Sequence, residues 1–215
     1  MNPGPDVRRR LHLEMLVVLG ISLGQSAVYA LLSLINKLTQ EVALNRQTTS
    51  INASKTPDRP WLDLAYQVAN LVFPLVPVAL VLYLLWVYQR PHGGPLRSMG
   101  FDLRRPGFDL GVGSAVFVGI GAGGLVLYYV SRELGYNTSV SPANLAAAWW
   151  TVPMLLLLAV KNAVLEEVVM VGYLFTRWRQ SGGGILAVLA GSALIRGAYH
   201  LYQGFGGFVG NVVMG

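Results

Sequence analysis

Residues 15–35, MLVVLGISLGQSAVYALLSLI, run for 21 positions without a charged side chain. At about 1.5 Å per residue, a helix of that length crosses the roughly 30 Å hydrocarbon core of a bilayer. Arg8, Arg9 and Arg10 precede it, as basic residues precede a secretory signal. The apolar stretch is longer than the roughly 7–15 residues of a signal core and has no small-residue cleavage site, so it reads as a retained span. Applied outward, the same test finds more. Residues 64–89 are a second uncharged stretch, in which Pro74 and Pro77 predict a kink because proline lacks the N–H that a helix interior uses. Residues 110–130 are a third, with Gly119 and Gly123 at the GxxxG spacing that lets helices approach closely. Residues 153–175 make a fourth, opened by Pro153, and residues 185–202 a fifth. Residues 208–215 read as the opening of a truncated sixth. The expected fold is all-α, a polytopic transmembrane helical bundle forming one domain over residues 1–215.

Composition points the same way. Hydrophobic residues make up 53% of the 215 and charged residues 12%, about half the roughly 25% usual in soluble domains. Mean hydropathy is +0.50. A disordered chain is excluded by that hydrophobicity, and a soluble globule would lack the polar side chains to cover its surface. There is no cysteine, hence no disulfide framework, thiolate zinc site or cysteine nucleophile. The net charge of +6 would suit nucleic acid, but the basic residues flank the apolar runs. That distribution is the positive-inside pattern, so the expected partner is the lipid bilayer and not nucleic acid.

Nine Lys and Arg fall on the side of the N-terminal arm, the 89–109 loop and the 176–183 turn, Arg90 and Arg177 among them; five fall opposite. The N-terminus is therefore expected inside. Residues 37–63 read as a mobile polar loop, and residues 142–152 as an interfacial segment anchored by Trp149 and Trp150. His12 and His92 read as solvated surface.

Inside a bilayer the informative residues are the ionisable ones, since each is expensive there unless paired or solvated. Here they are Lys161, Glu166, Glu167 and Arg196, with His200 and the polar Asn162 and Gln203 close in sequence. Asn162 and Glu166 are four apart and share a helix face, which Met170 should continue. Glu167 is turned by about 100° from it. On the next span Arg196, His200 and Gln203 fall on one stripe. A short turn packs these two spans antiparallel, so a carboxylate pair, a guanidinium and an imidazole are expected around one cavity. Such a cavity suits proton transfer to water: desolvation and a like-charged neighbour raise a carboxyl pKa, a guanidinium lowers it, and the balance can set a general base near neutrality. The alternative on the same residues is a structural ion cluster in which Arg196 neutralises Glu166 or Glu167.

The run Glu166-Glu167-Val168-Val169-Met170-Val171-Gly172-Tyr173 resembles the first motif of the CPBP family, the CAAX proteases and bacteriocin-processing enzymes also called Abi. That motif is a glutamate pair, then usually an aromatic, an arginine and a glycine. Arg196-Gly197-Ala198-Tyr199-His200 is similar to the second, an aromatic four residues before a histidine. The resemblance covers about residues 149–215. It implies an intramembrane glutamic endopeptidase, a hydrolase of membrane-associated protein or peptide substrates, in the plasma membrane of a bacterium. Carried over, Glu166 is the catalytic base activating water, His200 its catalytic partner and Glu167 a supporting carboxylate, with Arg196 and Asn162 as supporting polar groups. The implied mechanism is metal-free and needs no cofactor. The alternative use of Glu166, Glu167 and His200 is as ligands of a divalent metal, although no HExxH pattern accompanies them.

The chain departs from the family pattern in three places. Val171 stands where the family has its arginine, and Arg196 where it has an aromatic, so Arg196 is read as supplying the lost charge from the neighbouring span. The family's oxyanion-stabilising histidine and asparagine lie on a later span, and the sequence as given stops 15 residues after His200. Either the sequence is a fragment of a longer protein or the oxyanion site is gone; the unfinished terminal helix favours a C-terminally truncated fragment, expected to be inactive as it stands. Two other functions fit parts of the pattern: a non-catalytic immunity or scaffold membrane protein of the same family, and a proton-coupled transporter using Glu166, Glu167 and His200 as a relay.

Overall fold

The structure is a computed structural model and describes residues 3–88, 94–102, 104–145 and 147–214. Gln89 at the end of the second expected span, Arg90, His92 and Gly215 lie outside the described residues. In chain order the elements are α1 (Pro5–Gly20), α2 (Leu23–Leu38), β1 (Thr48–Ala53), α3 (Pro60–Val72), α4 (Val76–Tyr88) and α5 (Pro95–Ser98). They continue with α6 (Pro106–Glu133), β2 (Ser139–Asn144), α7 (Thr151–Glu166), α8 (Phe175–Gln180), α9 (Ile185–Ala198) and α10 (Phe205–Met214). Among the described residues the named elements are helical apart from the two-stranded β1–β2 sheet.

Among the described residues three helices are long and apolar enough to cross a membrane, Pro60–Tyr88, Pro106–Glu133 and Ile185–Gln203; α1 and α2 make a fourth if that broken pair counts as one span. Large apolar side chains stand exposed along them, Phe117 to 77%, as a lipid-facing surface requires.

Helix boundaries follow local chemistry. Proline opens α1, α3 and α6 in the first turn, where its missing N–H has no intrahelical partner. Gly135 and Gly182, at φ +82° and +84°, end α6 and α8. In each case the following amide reaches back to the last turn, Tyr136 N to Ser131 O and Gly183 N to Trp178 O, which closes a Schellman cap. Where the sequence predicts a kink, the 60–88 helix passes through a short 3₁₀ stretch at Phe73–Leu75 that contains Pro74.

Other expectations are corrected. Residues 15–35 are not one helix: the backbone breaks between α1 and α2, where Ser22 Oγ donates to Val18 O at 2.6 Å. A serine hydroxyl bonding back into its own turn competes with the helix ladder and bends it. The 37–63 segment is no featureless loop, because it holds β1, which pairs with β2. These strands, TTSINA and SVSPAN, are short and polar, and their pairing is long-range. β2 also takes part of the expected 142–152 interfacial segment.

The chain divides into two compact units: Met1–Ser22, Thr49–Val87 and Val140–Val188 form the first, and Leu23–Thr48, Tyr88–Ser139 and Leu189–Gly215 the second. In the first, Trp150, Met154 and Leu158 on or just before α7 pack with Leu64 and Leu71 of α3. Trp150 is 5% exposed and Trp149 86%. Only Trp149 has the exposure of an interfacial anchor; its neighbour is core.

In the second unit α10 lies on α6 and against the end of α9. A Cβ on Gly210 would come 2.9 Å from Leu127 Cδ2, and one on Gly197 would come 2.5 Å from Val212 Cγ2 and 2.9 Å from Phe208 O. The close approach thus runs through those glycines. Gly119 and Gly123, the GxxxG pair, have nothing within 4 Å of a Cβ among the described residues. α10 begins at Phe205, before the predicted position 208, because Gly204 at φ +120° makes the turn ahead of it.

Candidate active site

The glutamate pair belongs to the first unit. Asn162 and Glu166 lie one turn apart near the end of α7, Asn162 exposed and Glu166 half-buried. Glu167, exposed, opens a π-helical stretch, Glu167–Leu174. The wider π turn changes the register after the carboxylates. Val168, Val169 and Met170 are consecutively buried, which an α-helix of period 3.6 rarely achieves. Met170 therefore packs inward and does not continue the Asn162–Glu166 line. Insertions of this kind occur frequently at functional sites.

The helix that carries the pair is anchored just beyond it. Arg177 is 1% exposed; its Nε donates to Glu14 Oε1 on α1 at 2.8 Å, Nη1 to Gln180 Oε1 at 2.8 Å and Nη2 to Leu84 O at 3.2 Å. Tyr173 OH donates to the same Glu14 oxygen at 3.0 Å. Arg177 is therefore a core residue, although its place at the end of a span reads as a flanking interfacial charge. The sequence signal missed here was Glu14, a lone acid one residue before an apolar run.

A second correction concerns His12. It is half-buried, stacked on Trp178 at 5.8 Å between ring centres, with Nε2 3.2 Å from Ser181 Oγ. Ser181 gives its single hydroxyl proton to Trp178 O at 2.7 Å. The imidazole must then be the donor to Ser181, so the contact is not a nucleophile–base pair.

Arg196, His200 and Gln203 belong to the second unit. α9 ends at Ala198, and Tyr199 and His200 form the turn that follows. His200 Nδ1 lies 2.9 Å from Arg196 O. A carbonyl can only accept, so Nδ1 carries a proton and donates to it. The expected helical stripe of Arg196, His200 and Gln203 is interrupted, because α9 ends at Ala198 and Gln203 lies in a 3₁₀ turn; His200 meets Arg196 through its backbone carbonyl. Tyr199 and Tyr202 flank the imidazole at 4.7 and 6.2 Å between ring centres.

The turn after His200 is held from several directions. Thr138 N donates to Gln203 O at 2.9 Å and Phe205 N to Tyr136 O at 2.9 Å. Asn137, 1% exposed, accepts from Gly207 N at 3.0 Å. Lys37 Nζ donates to Tyr202 O. Asn137 was absent from the sequence-level site because nothing in a Tyr-Asn-Thr turn announces a partner some seventy residues away. Within neither unit do three His, Asp or Glu side chains of the described residues gather as a metal site.

Residues 148–215, which contain both motifs, match a family model described as type II CAAX prenyl endopeptidase Rce1-like. No curated protein and no solved structure matches the chain.

Proposed function

We propose, because residues 148–215 match the type II CAAX prenyl endopeptidase model, that the chain is an intramembrane endopeptidase hydrolysing peptide bonds of membrane-associated substrates. Glu166 is the general base. It takes a proton from water as the oxygen attacks the scissile carbonyl, and returns that proton to the leaving amine when the tetrahedral intermediate collapses. From the motif resemblance, His200 is assigned as its catalytic partner and Glu167 as a supporting carboxylate. Arg196 and Asn162 are assigned supporting polar roles, and a bacterial plasma membrane with an inside N-terminus is the proposed setting. The observation carrying the reading is that the family match over residues 148–215 spans both motifs, the Glu166-Glu167 pair and His200.

The test is proteolysis by the full-length protein in nanodiscs, read as release of the C-terminal peptide from a prenylated CAAX substrate. Glu166→Gln and His200→Ala should each lower kcat by about 10²–10⁴, the usual worth of a positioned acid–base group. Folded variants that cleave as fast as the parent would refute the assignment. Absence of cleavage by the parent would favour the non-catalytic scaffold.

A further inference from the structure

Asp63, in the first turn of α3, is 0% exposed and takes no part in the proposed chemistry. Its Oδ1 accepts from Lys55 N at 2.8 Å and Thr56 N at 3.4 Å, which sets the carboxylate across residues 54–56. Among the described residues its Oδ2 has no hydrogen-bond partner, and the buried hydroxyls of Ser54 and Thr56 have none either. Around this turn, Ser54 N donates to Asn144 O of β2 at 3.0 Å, and buried Gln67 donates from Nε2 to Ala53 O at 3.3 Å. The neighbouring cations Lys55 and Arg59 are exposed, and no described residue forms an ion pair with Asp63.

A buried carboxylate needs a compensating charge, and buried hydroxyls need partners. One group answers both needs: a hard cation, which takes carboxylate and neutral oxygens together. Ca²⁺ fits an irregular set of this kind, since it accepts mixed oxygens in flexible geometry, whereas Mg²⁺ demands a near-ideal octahedron and keeps its waters. We infer that the corner between β1 and α3 is a calcium site built on Asp63, Ser54 and Thr56. With one carboxylate it belongs to the weak class, with a Kd on the order of 10⁻⁴–10⁻³ M. It would fasten the β1–β2 sheet to the start of α3.

The experiment uses the full chain in nanodiscs. Tb³⁺ luminescence sensitised by Trp61, two residues from Asp63, should rise on titration and be displaced by millimolar Ca²⁺. Thermal unfolding in about 5 mM Ca²⁺ should lie a few degrees above that in EDTA. Asp63→Asn keeps an acceptor for the two amides and should abolish both responses. Should that variant misfold, Ser54→Ala with Thr56→Val in the Asp63 background should abolish them instead. Equal melting of the parent in Ca²⁺ and EDTA would overturn the inference in favour of a buried bridging water. An undiminished response in both variants, or an equal shift with Mg²⁺, would overturn it in favour of surface binding.

Discussion

Glu14 on α1 and Arg177 on α8 form an ion pair at 2.8 Å, with the arginine side chain 2% exposed. Tyr173 shares the same carboxylate oxygen. The pair joins the N-terminal helix to the helical run that carries Glu166 and Glu167.

Removing one partner strands a buried charge. Glu14→Ala should therefore destabilise the protein by about 3–5 kcal/mol, because the guanidinium keeps its desolvation cost without its counter-charge. The double variant Glu14→Leu with Arg177→Met should recover most of that loss. Unfolding in mixed micelles measures both, and a double variant as unstable as the single one would contradict the account.

Trp149 and Trp150 are adjacent in sequence and opposite in environment. Trp150→Ala removes a side chain packed with Met154 and Leu158 and should cost about 3–5 kcal/mol. Trp149→Ala, at 86% exposure, should stay within about 0.5 kcal/mol. Thermal unfolding of the two variants side by side is sufficient; equal losses would mean that Trp150 does not carry the core.

Gly197 lies beneath α10. Gly197→Ala places a methyl 2.9 Å from the carbonyl oxygen of Phe208, so the helix must shift, at about 1–3 kcal/mol. Gly191→Ala on the same helix, with nothing within 4 Å of the new methyl, should be neutral or gain up to about 1 kcal/mol from lost backbone freedom in the unfolded chain. Chemical denaturation distinguishes the two.

Val171 and Arg196 carry the exchanged motif positions. If Arg196 supplies the charge that Val171 lacks, the double substitution Val171→Arg with Arg196→Phe should cleave substrate within about tenfold of the parent, and Arg196→Phe alone should lose about 10²-fold, the scale of one electrostatic contact in a site. The readout is peptide release by full-length protein. A folded double variant without activity would rule the exchange out.

Much of this was legible without coordinates. Long uncharged runs report helices because a bilayer offers no other partner for the backbone, and α6 follows the predicted 110–130 run closely. Proline marked the 3₁₀ stretch within the 60–88 helix through its missing N–H. The motif residues were visible by type and by spacing. The β1–β2 pairing was not, because its strands are short, polar and far apart in sequence. Arg177 read as an interfacial cation because its partner, Glu14, belongs to another helix.

Sequence alone thus determined that the chain is helical, with runs long and apolar enough to cross a membrane and with acids and an imidazole in successive apolar runs, since hydrophobic length is a local property. Tertiary structure decided the rest. It set the burial that turns Met170 inward, the Glu14 carboxylate that pairs with Arg177, and the surroundings that leave Asp63 Oδ2 without a donor among the described residues. Each of these depends on which distant atoms occupy the neighbouring space, and no local pattern encodes that.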